Sequence, residues 1–468
     1  MRSGISTAAL CAAVWLALVL AYPRPAWTGN ELSDRDRKLP MEVLHWVQES
    51  VDKSYYDPMF RGMDMNARFR QAEAKIQAAT SYGDAMESVQ WALQGLHDSQ
   101  TYLIPPPQPY EFNHGFDFQF YGNECFVTKV KPGSDAEKQG LQAGDKLLAI
   151  NQQRLVRSEF QELRRSLYLI APRAEMHLTV LPMGEKSAKE LTTRAEIHEL
   201  PARLDSDSTR DSGFDLNWKL RKAQSEFYYA RPRSYELGDV MVWKQPTFTN
   251  AVSLLVAPTE PLPPLGVRAN SILEKSRKSR ALVLDLRGNH GGRFTGLQWL
   301  VGGMFDHEVL ICDVLSRGNR NPESAKAVGK HPFKGMLIVL VDSETSSEAE
   351  VFARFVQLEK RGFVIGDQTS GRMKITVPFF HQGFLAGSTR VAPRLAGETL
   401  EYGVMLSTGE VMMKDGKNLD RIGVTPDLKL LPTPEDLAAG RDPALSMAIS
   451  LAGHKIDPEQ AGELLARN

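Results

Sequence analysis

Hydroxyl residues crowd the seam of LIVLVDSETSSEAEVFARF, where an apolar run beginning at Leu337 passes into a helical pattern. Ser347 and Glu350 have the S-x-x-E spacing of a capping box, in which two side chains satisfy orphan backbone N–H groups. The same hydroxyl, held by a rigid strand-to-helix junction at the positive end of a helix, is also placed to act as the nucleophile of an acyl transfer. Both roles stay open on this stretch alone. A second candidate is ALVLDLRGNHGGRF, where Gly288, Gly291 and Gly292 follow a buried strand ending at Leu286. Glycines let the backbone turn sharply and approach another group closely, and N–H groups freed in that way can face an oxyanion. By itself it is a turn. It lacks the G-x-G-x-x-G spacing with a following acidic residue, so no dinucleotide cofactor is expected.

The remaining charged residues near these stretches have structural readings. Asp285 and Arg287 form a polar pair at the strand end, and Lys360 and Arg361, beside Gly362, suit a helix C-terminus. Glu350 serves the cap. Paired carboxylates for glycoside hydrolysis are therefore a weaker reading of the acidic residues here.

The elements that must position these groups follow from periodicity. Residues 30–100 carry apolar positions at helical steps in MEVLHWVQESV and FRQAEAKIQAA, until the three prolines of TYLIPPPQPY interrupt them. FDFQFYG, CFVTKV, KLLAINQQ and MHLTVL read as short strands around one helix. DSDSTRDSG is linker-like. VMVWKQPTF, SILEKSRKS, ALVLDL and LIVLVDS then alternate strand with helix, which argues for α/β packing with buried strands.

Two resemblances attach to these segments. Ser134-Asp135-Ala136, Gly140-Leu141 and Gly144-Asp145 ahead of the strand Lys146 to Ile150 resemble a PDZ domain, a module that binds an extended peptide along a sheet edge. Gly115-Phe116-Asp117-Phe118 falls where that family's carboxylate loop is expected, which implies peptide contacts at Phe116 and Phe118; Asp117 departs from the pattern. The glycine bend, the Ser347 seam and GFVIGDQTSGRM, in that order, resemble the core of the carboxyl-terminal processing (tail-specific) and tricorn-like serine proteases. That resemblance runs from about Tyr110 to Asp427. It implies an α/β, multidomain chain: a ClpP/crotonase-like protease core, a preceding PDZ-like β-rich domain and an N-terminal helical region. It also implies Ser347 as nucleophile, with the N–H of Glu348 and of Gly291 or Gly292 as oxyanion donors.

The base departs from the relatives. The lysine-using branch places lysine where this chain has Arg372, and a guanidinium stays protonated. The histidine-using branch places its base where HDSQTYLIPP supplies Gln100, an amide that accepts no proton. Three groups remain: Lys374, on the same face of a strand as Arg372; His97, three residues before Gln100; and His290, inside the glycine bend.

The 468 residues carry 56 Lys plus Arg against 57 Asp plus Glu. Such balance gives no field for nucleic acid and fits neutral or polypeptide substrates. Arg2 precedes an apolar run from Ala8 to Tyr22, closed by Pro23 and Pro25, which reads as a secretory signal; a retained membrane anchor is the alternative. Beyond it only Cys125 and Cys312 remain, able to form a single long-range disulfide but no zinc site. The expected division is a signal peptide at 1–28, a helical domain at 29–105, a PDZ-like domain at 106–185 and a linker at 186–238. The protease core follows at 239–430 and a helical tail at 431–468. The expected protein is a secreted or cell-envelope serine endopeptidase acting on polypeptides without cofactor or metal. The alternative is a catalytically silent, PDZ-containing peptide binder on the same fold. Oligomeric state is not legible.

Overall fold

A computed structural model describes residues 32–34, 36–106, 110–199, 233–248, 265–329, 331–384 and 399–466. The expected signal or anchor and the DSDSTRDSG linker lie outside these residues. Among the described residues no helix is long and apolar enough to cross a membrane.

The core rests on a six-stranded sheet. Its order is Arg233–Leu237, Val240–Lys244, Ala281–Asp285, Met336–Val341, Phe363–Gly366 and Leu428–Lys429, parallel throughout except for the first pair. Every residue of Ala281–Asp285 is buried. Parallel strands covered on both faces read as continuous apolar runs, which is why ALVLD and LIVLV show no alternation. Side chains nevertheless alternate between layers. Leu282, Leu284, Leu337 and Val339 face the helices Phe294–Gly302 and Glu348–Leu358. Ala281, Val283, Ile338 and Leu340 face the helix Pro443–Leu451 through Ala444, Leu445, Ala448 and Ile449. Burying each large aliphatic side chain contributes roughly 1.5–3 kcal/mol. The closing helices are thus the third layer of the α/β core, where the sequence suggested a tail.

A second sheet carries the long strand Thr399–Met413, which pairs with Tyr102–Ile104, Lys374–Phe384 and Val309–Ser316. The helices Lys38–Ser54, Met65–Ala78 and Tyr82–Gln94 bury their apolar faces against its Tyr402, Val404 and Leu406. This pairing stitches the N-terminal region into the core and brings residues near 100 beside residues near 372.

The PDZ-like unit is a sheet ordered Phe116–Tyr121, Glu124–Val130, Lys146–Ile150, Glu175–Leu181 and Lys189–Arg194, with Gln153–Arg154 at its side. It extends past the boundary expected at 185, because Glu175 through Val180 pair with Arg194 through Lys189. Part of the expected linker is therefore strand. Cys125 lies in this unit and Cys312 in the core, both as buried free thiols.

Candidate active site

The strand Met336–Val341 and the helix Glu348–Leu358 are joined by a tightly bonded turn. Asp342 Oδ1 accepts the N–H groups of Glu344 (3.1 Å) and Thr345 (2.9 Å), and also that of Gly288 (2.9 Å) in the glycine bend. Ser346 N–H donates to Asn289 O at 2.9 Å. Thr345 Oγ1 donates to Leu286 O at 2.9 Å. These bonds clamp the seam and the bend into one unit, so the position of Ser347 relative to the glycines does not depend on a mobile loop.

Ser347 sits at φ 59°, ψ −130°, a backbone conformation that non-glycine residues rarely adopt. Such strain costs of order 1–3 kcal/mol and persists only where the surroundings impose it. Here they do. Ser347 N–H donates to Arg372 O (3.0 Å) and to Glu350 Oε2 (3.1 Å). The expected capping box of Ser347 and Glu350 is thereby formed. The Ser347 hydroxyl also donates, to Glu348 Oε2 at 2.8 Å. Ser347 is half-buried, whereas its neighbours on both sides are buried.

Gly291 closes on this serine. A β-carbon added there would lie 2.4 Å from Ser347 Cβ and 2.5 Å from Glu348 Oε2, and its φ of +86° also requires glycine. The two glycines divide their work. Gly291 N–H donates to Asn289 Oδ1 (2.8 Å), so it is turned away from the serine. Gly292 N–H points into the site and donates to Glu348 Oε2 at 2.8 Å. Of the pair offered by the sequence as oxyanion donors, Gly292 directs its N–H to the Glu348 oxygen that holds the Ser347 hydroxyl, and Gly291 supplies the close approach. The N–H of Glu348, at the start of its helix, is one of the orphan donors every helix begins with.

On the other side of Ser347 lies a polar network. Gln100 Nε2 donates to Arg372 O at 2.7 Å, the carbonyl that also takes the Ser347 N–H, and Arg372 Nη2 donates to Gln100 Oε1 at 3.3 Å. Gln100 is thereby bonded to the same backbone carbonyl that anchors Ser347. Asp98 fixes the segment by accepting the N–H groups of Gln100 (2.7 Å) and Thr101 (3.1 Å) and the hydroxyl of Ser407 (2.9 Å). Ser99 donates to Asp420 in a short bond. Burial pushes the Asp420 carboxyl up to about 6, against the opposing pull of Lys374.

The three candidate bases fare differently. Lys374 is 2% exposed, with its ammonium bonded to Glu410 (2.6 Å) and Tyr56 Oη (3.1 Å) and 3.7 Å from Asp420. Burial alone would lower its pKa, but Asp420, Glu410 and Tyr56 outweigh it and hold the amine above its ordinary value. A base must release its proton first; this lysine is held protonated, with its donors directed to groups other than Ser347. His97 is exposed, in a left-handed turn at φ 48°. His290 adjoins Gly291, and burial lowers its pKa, so its imidazole is neutral at pH 7. Phe116 and Phe118 are each 7% exposed and pack in the PDZ-like core, Phe118 edge-on to Phe160 at 5.6 Å.

The PDZ-like unit touches the turn that precedes Ser347 directly. Gln119 Nε2 donates to Asp342 Oδ2 (2.8 Å), Ser343 Oγ to Phe120 O (2.5 Å), and Arg157 pairs with Asp367 (2.7 Å). Sequence reasoning missed Asn289, Asp342, Asp98, Asp420 and the side chain of Glu348. Two carried a signal: Glu348, as an acidic residue next to a candidate nucleophile, and Asp98, two residues before Gln100 in HDSQTYLIPP. Among the described residues no group of histidine, cysteine or carboxylate side chains could hold a metal ion.

Residues 268–430 match the model of peptidase family S41, and residues 126–182 that of a PDZ domain. The chloroplastic C-terminal processing peptidase of Tetradesmus obliquus is 23% identical over 407 residues, 83% of this chain and 77% of that protein. The tail-specific protease of Haemophilus influenzae is 31% identical over 98 residues, 21% of this chain and 14% of its own length. Among solved structures, mature CPAF complexed with lactacystin has a TM-score of 0.60 at 12% identity, covering 92% of this chain and 100% of that one. That likeness shows a shared fold.

Proposed function

We propose, from the premise that this chain is a PDZ-containing member of peptidase family S41, that it hydrolyses peptide bonds of extended polypeptides through an acyl-enzyme on Ser347. The observation that carries the reading is the strained, half-buried Ser347 set against a glycine bend, its hydroxyl and the Gly292 N–H meeting at one oxygen of Glu348. The Ser347 oxygen attacks the scissile carbonyl carbon. The carbonyl oxygen takes up negative charge between the N–H groups of Gly292 and Glu348, at the positive end of the helix. The leaving amine takes a proton, and water then releases the acyl group.

Proton transfer is assigned to His290. It is neutral at pH 7 and adjoins the bend, whereas Lys374 is committed to Glu410, Asp420 and Tyr56. The PDZ-like unit, bonded to the nucleophile turn through Gln119 and Ser343, is assigned to recruiting the polypeptide. The apolar run at Ala8 to Tyr22 supports export to the cell envelope or beyond.

Cleavage of unfolded casein tests the reading. Ser347→Ala is expected to lower kcat by about 10³-fold or more, and His290→Ala by roughly 10²–10⁴-fold. The kcat/KM profile of the wild-type protein should rise with pH and level off before neutrality, since the base acts in its neutral form and its pKa lies below the ordinary histidine value. Equal inactivity of wild type and Ser347→Ala, with peptide binding intact, selects the second reading, a silent peptide binder. The amide of Gln100, bonded to the carbonyl that anchors Ser347, is the observation that favours it.

A further inference from the structure

The oxyanion position is already filled. Glu348 Oε2 lies 2.8 Å from Gly292 N and 2.8 Å from Ser347 Oγ. Donors to an oxyanion work at about 2.7–3.1 Å from the place the charged oxygen will occupy. One carboxylate oxygen that takes both the hole's N–H and the nucleophile's O–H therefore stands where a substrate's carbonyl oxygen must go. It is also held there. Glu348 is 7% exposed and is the first residue of the nucleophile helix, where a negative charge is favoured by the dipole. The spot is tight enough that a β-carbon at Gly291 would come within 2.5 Å of the same oxygen.

We infer that the Glu348 side chain is a built-in competitor of the substrate: it closes the oxyanion site in the resting protein, and catalysis requires it to leave. The inference rests on Ser347 being the nucleophile. Two consequences follow from the geometry. While Oε2 is in place, a carbonyl cannot reach Gly292, and any developing oxyanion would face a carboxylate at contact distance. When Glu348 swings away, the Ser347 hydroxyl loses its acceptor and is free to turn toward a base, so one rotation both opens the hole and releases the nucleophile. The alternative role, with Glu348 taking the serine proton, needs the carboxylate on the side of the leaving amine. The bond to Gly292 puts it on the opposite side.

A fluorophosphonate probe tests this on the full-length protein, since its phosphonyl oxygen needs the same hole as a substrate carbonyl. Labelling rates are compared for wild type, Glu348→Ala, Glu348→Gln and Ser347→Ala, each checked for an unchanged thermal transition. Glu348→Ala should label faster than wild type by about tenfold or more. Glu348→Gln, which keeps the shape without the charge and does not depend on tolerance of a truncated helix start, should fall between them. Ser347→Ala should not label. Ser347-dependent labelling that is equal or slower in both Glu348 variants overturns the inference and leaves the nucleophile standing. Labelling that is independent of Ser347, or absent from all four proteins, overturns the nucleophile and the inference with it.

Discussion

The two sides of Ser347 are built to different degrees of completion. On the proposed oxyanion side the groups are fixed by named bonds: Asp342 ties Gly288 to the seam, Asn289 takes the Gly291 N–H, and Gly292 donates to the Glu348 carboxylate that also holds the serine hydroxyl. On the other side the scaffold is equally ordered, with Asp98, Ser99, Asp420 and Lys374 bonded around residue 100, but the residue at its centre is an amide. A network of this quality costs conformational freedom and buried polar groups to maintain. The difference shows that the two sides of Ser347 are set by different stretches of chain, and that in this chain the proposed proton carrier, His290, belongs to the bend and not to the scaffold around residue 100. One is made by a local strand–turn–helix unit. The other is built around a segment distant in sequence, delivered by the pairing of Tyr102–Ile104 with the strand Thr399–Met413.

The sharpest way to break this contrast is Gly291→Ala. The added methyl would meet Ser347 Cβ at 2.4 Å in a backbone region closed to alanine, so either the bend or the serine must move. Misplacing the hole should lower kcat by about 10²–10³-fold, and the forced backbone should cost of order 1–3 kcal/mol of stability. Steady-state cleavage with a urea titration measures both. A variant with normal rates would show that the bend does not serve the serine, and the oxyanion side would lose its claim to be complete.

Gln100→His sharpens the contrast from the other direction. An imidazole placed there meets an ordered scaffold, including the Ser99–Asp420 bond one residue away. Made in the His290→Ala background, where the proposed base is gone, it should raise kcat/KM by about 10²-fold, the lower end of what a positioned general base supplies. Its pH profile should acquire a limb in the histidine range. No gain, with the fold intact, would mean that the scaffold around residue 100 is structural and was never organised for proton transfer.

These two positions also mark what was legible from residue order. Strand-to-helix alternation, the Ser347 seam and the glycine bend are local patterns, and each appears in the structure within its own short segment. The substitution at Gln100 was visible for the same reason. Residues near the site through tertiary pairing were not. Lys374 looked free because nothing near it in the chain is acidic, yet strand pairing sets it directly across from Glu410 and folds Asp420 beneath it. That the Gly291 N–H is taken by the side chain of Asn289 was not legible either, because Asn289 has no distinguishing local pattern. The Glu348 carboxylate was passed over because only its backbone amide had a role in view.

Lys374→Met provides the mildest test on rate and the clearest on stability. Breaking a buried ion pair by removing one partner costs about 3–5 kcal/mol, because Asp420 and Glu410 are left facing each other without a cation. The kcat of the folded variant should stay within about threefold of wild type; a loss comparable to that of Ser347→Ala would instead restore this lysine as the base. The destabilisation should depend on pH with a definite sign. The folded-state pKa of Asp420, about 6, already lies above the ordinary value of 3.8, so its protonation favours the folded protein at low pH and that benefit fades as pH rises through the folded value. Without Lys374 the carboxyl moves higher still and can neutralise itself in acid. Urea titrations should therefore show the variant closest to wild type near about pH 5 and furthest from it near about pH 8.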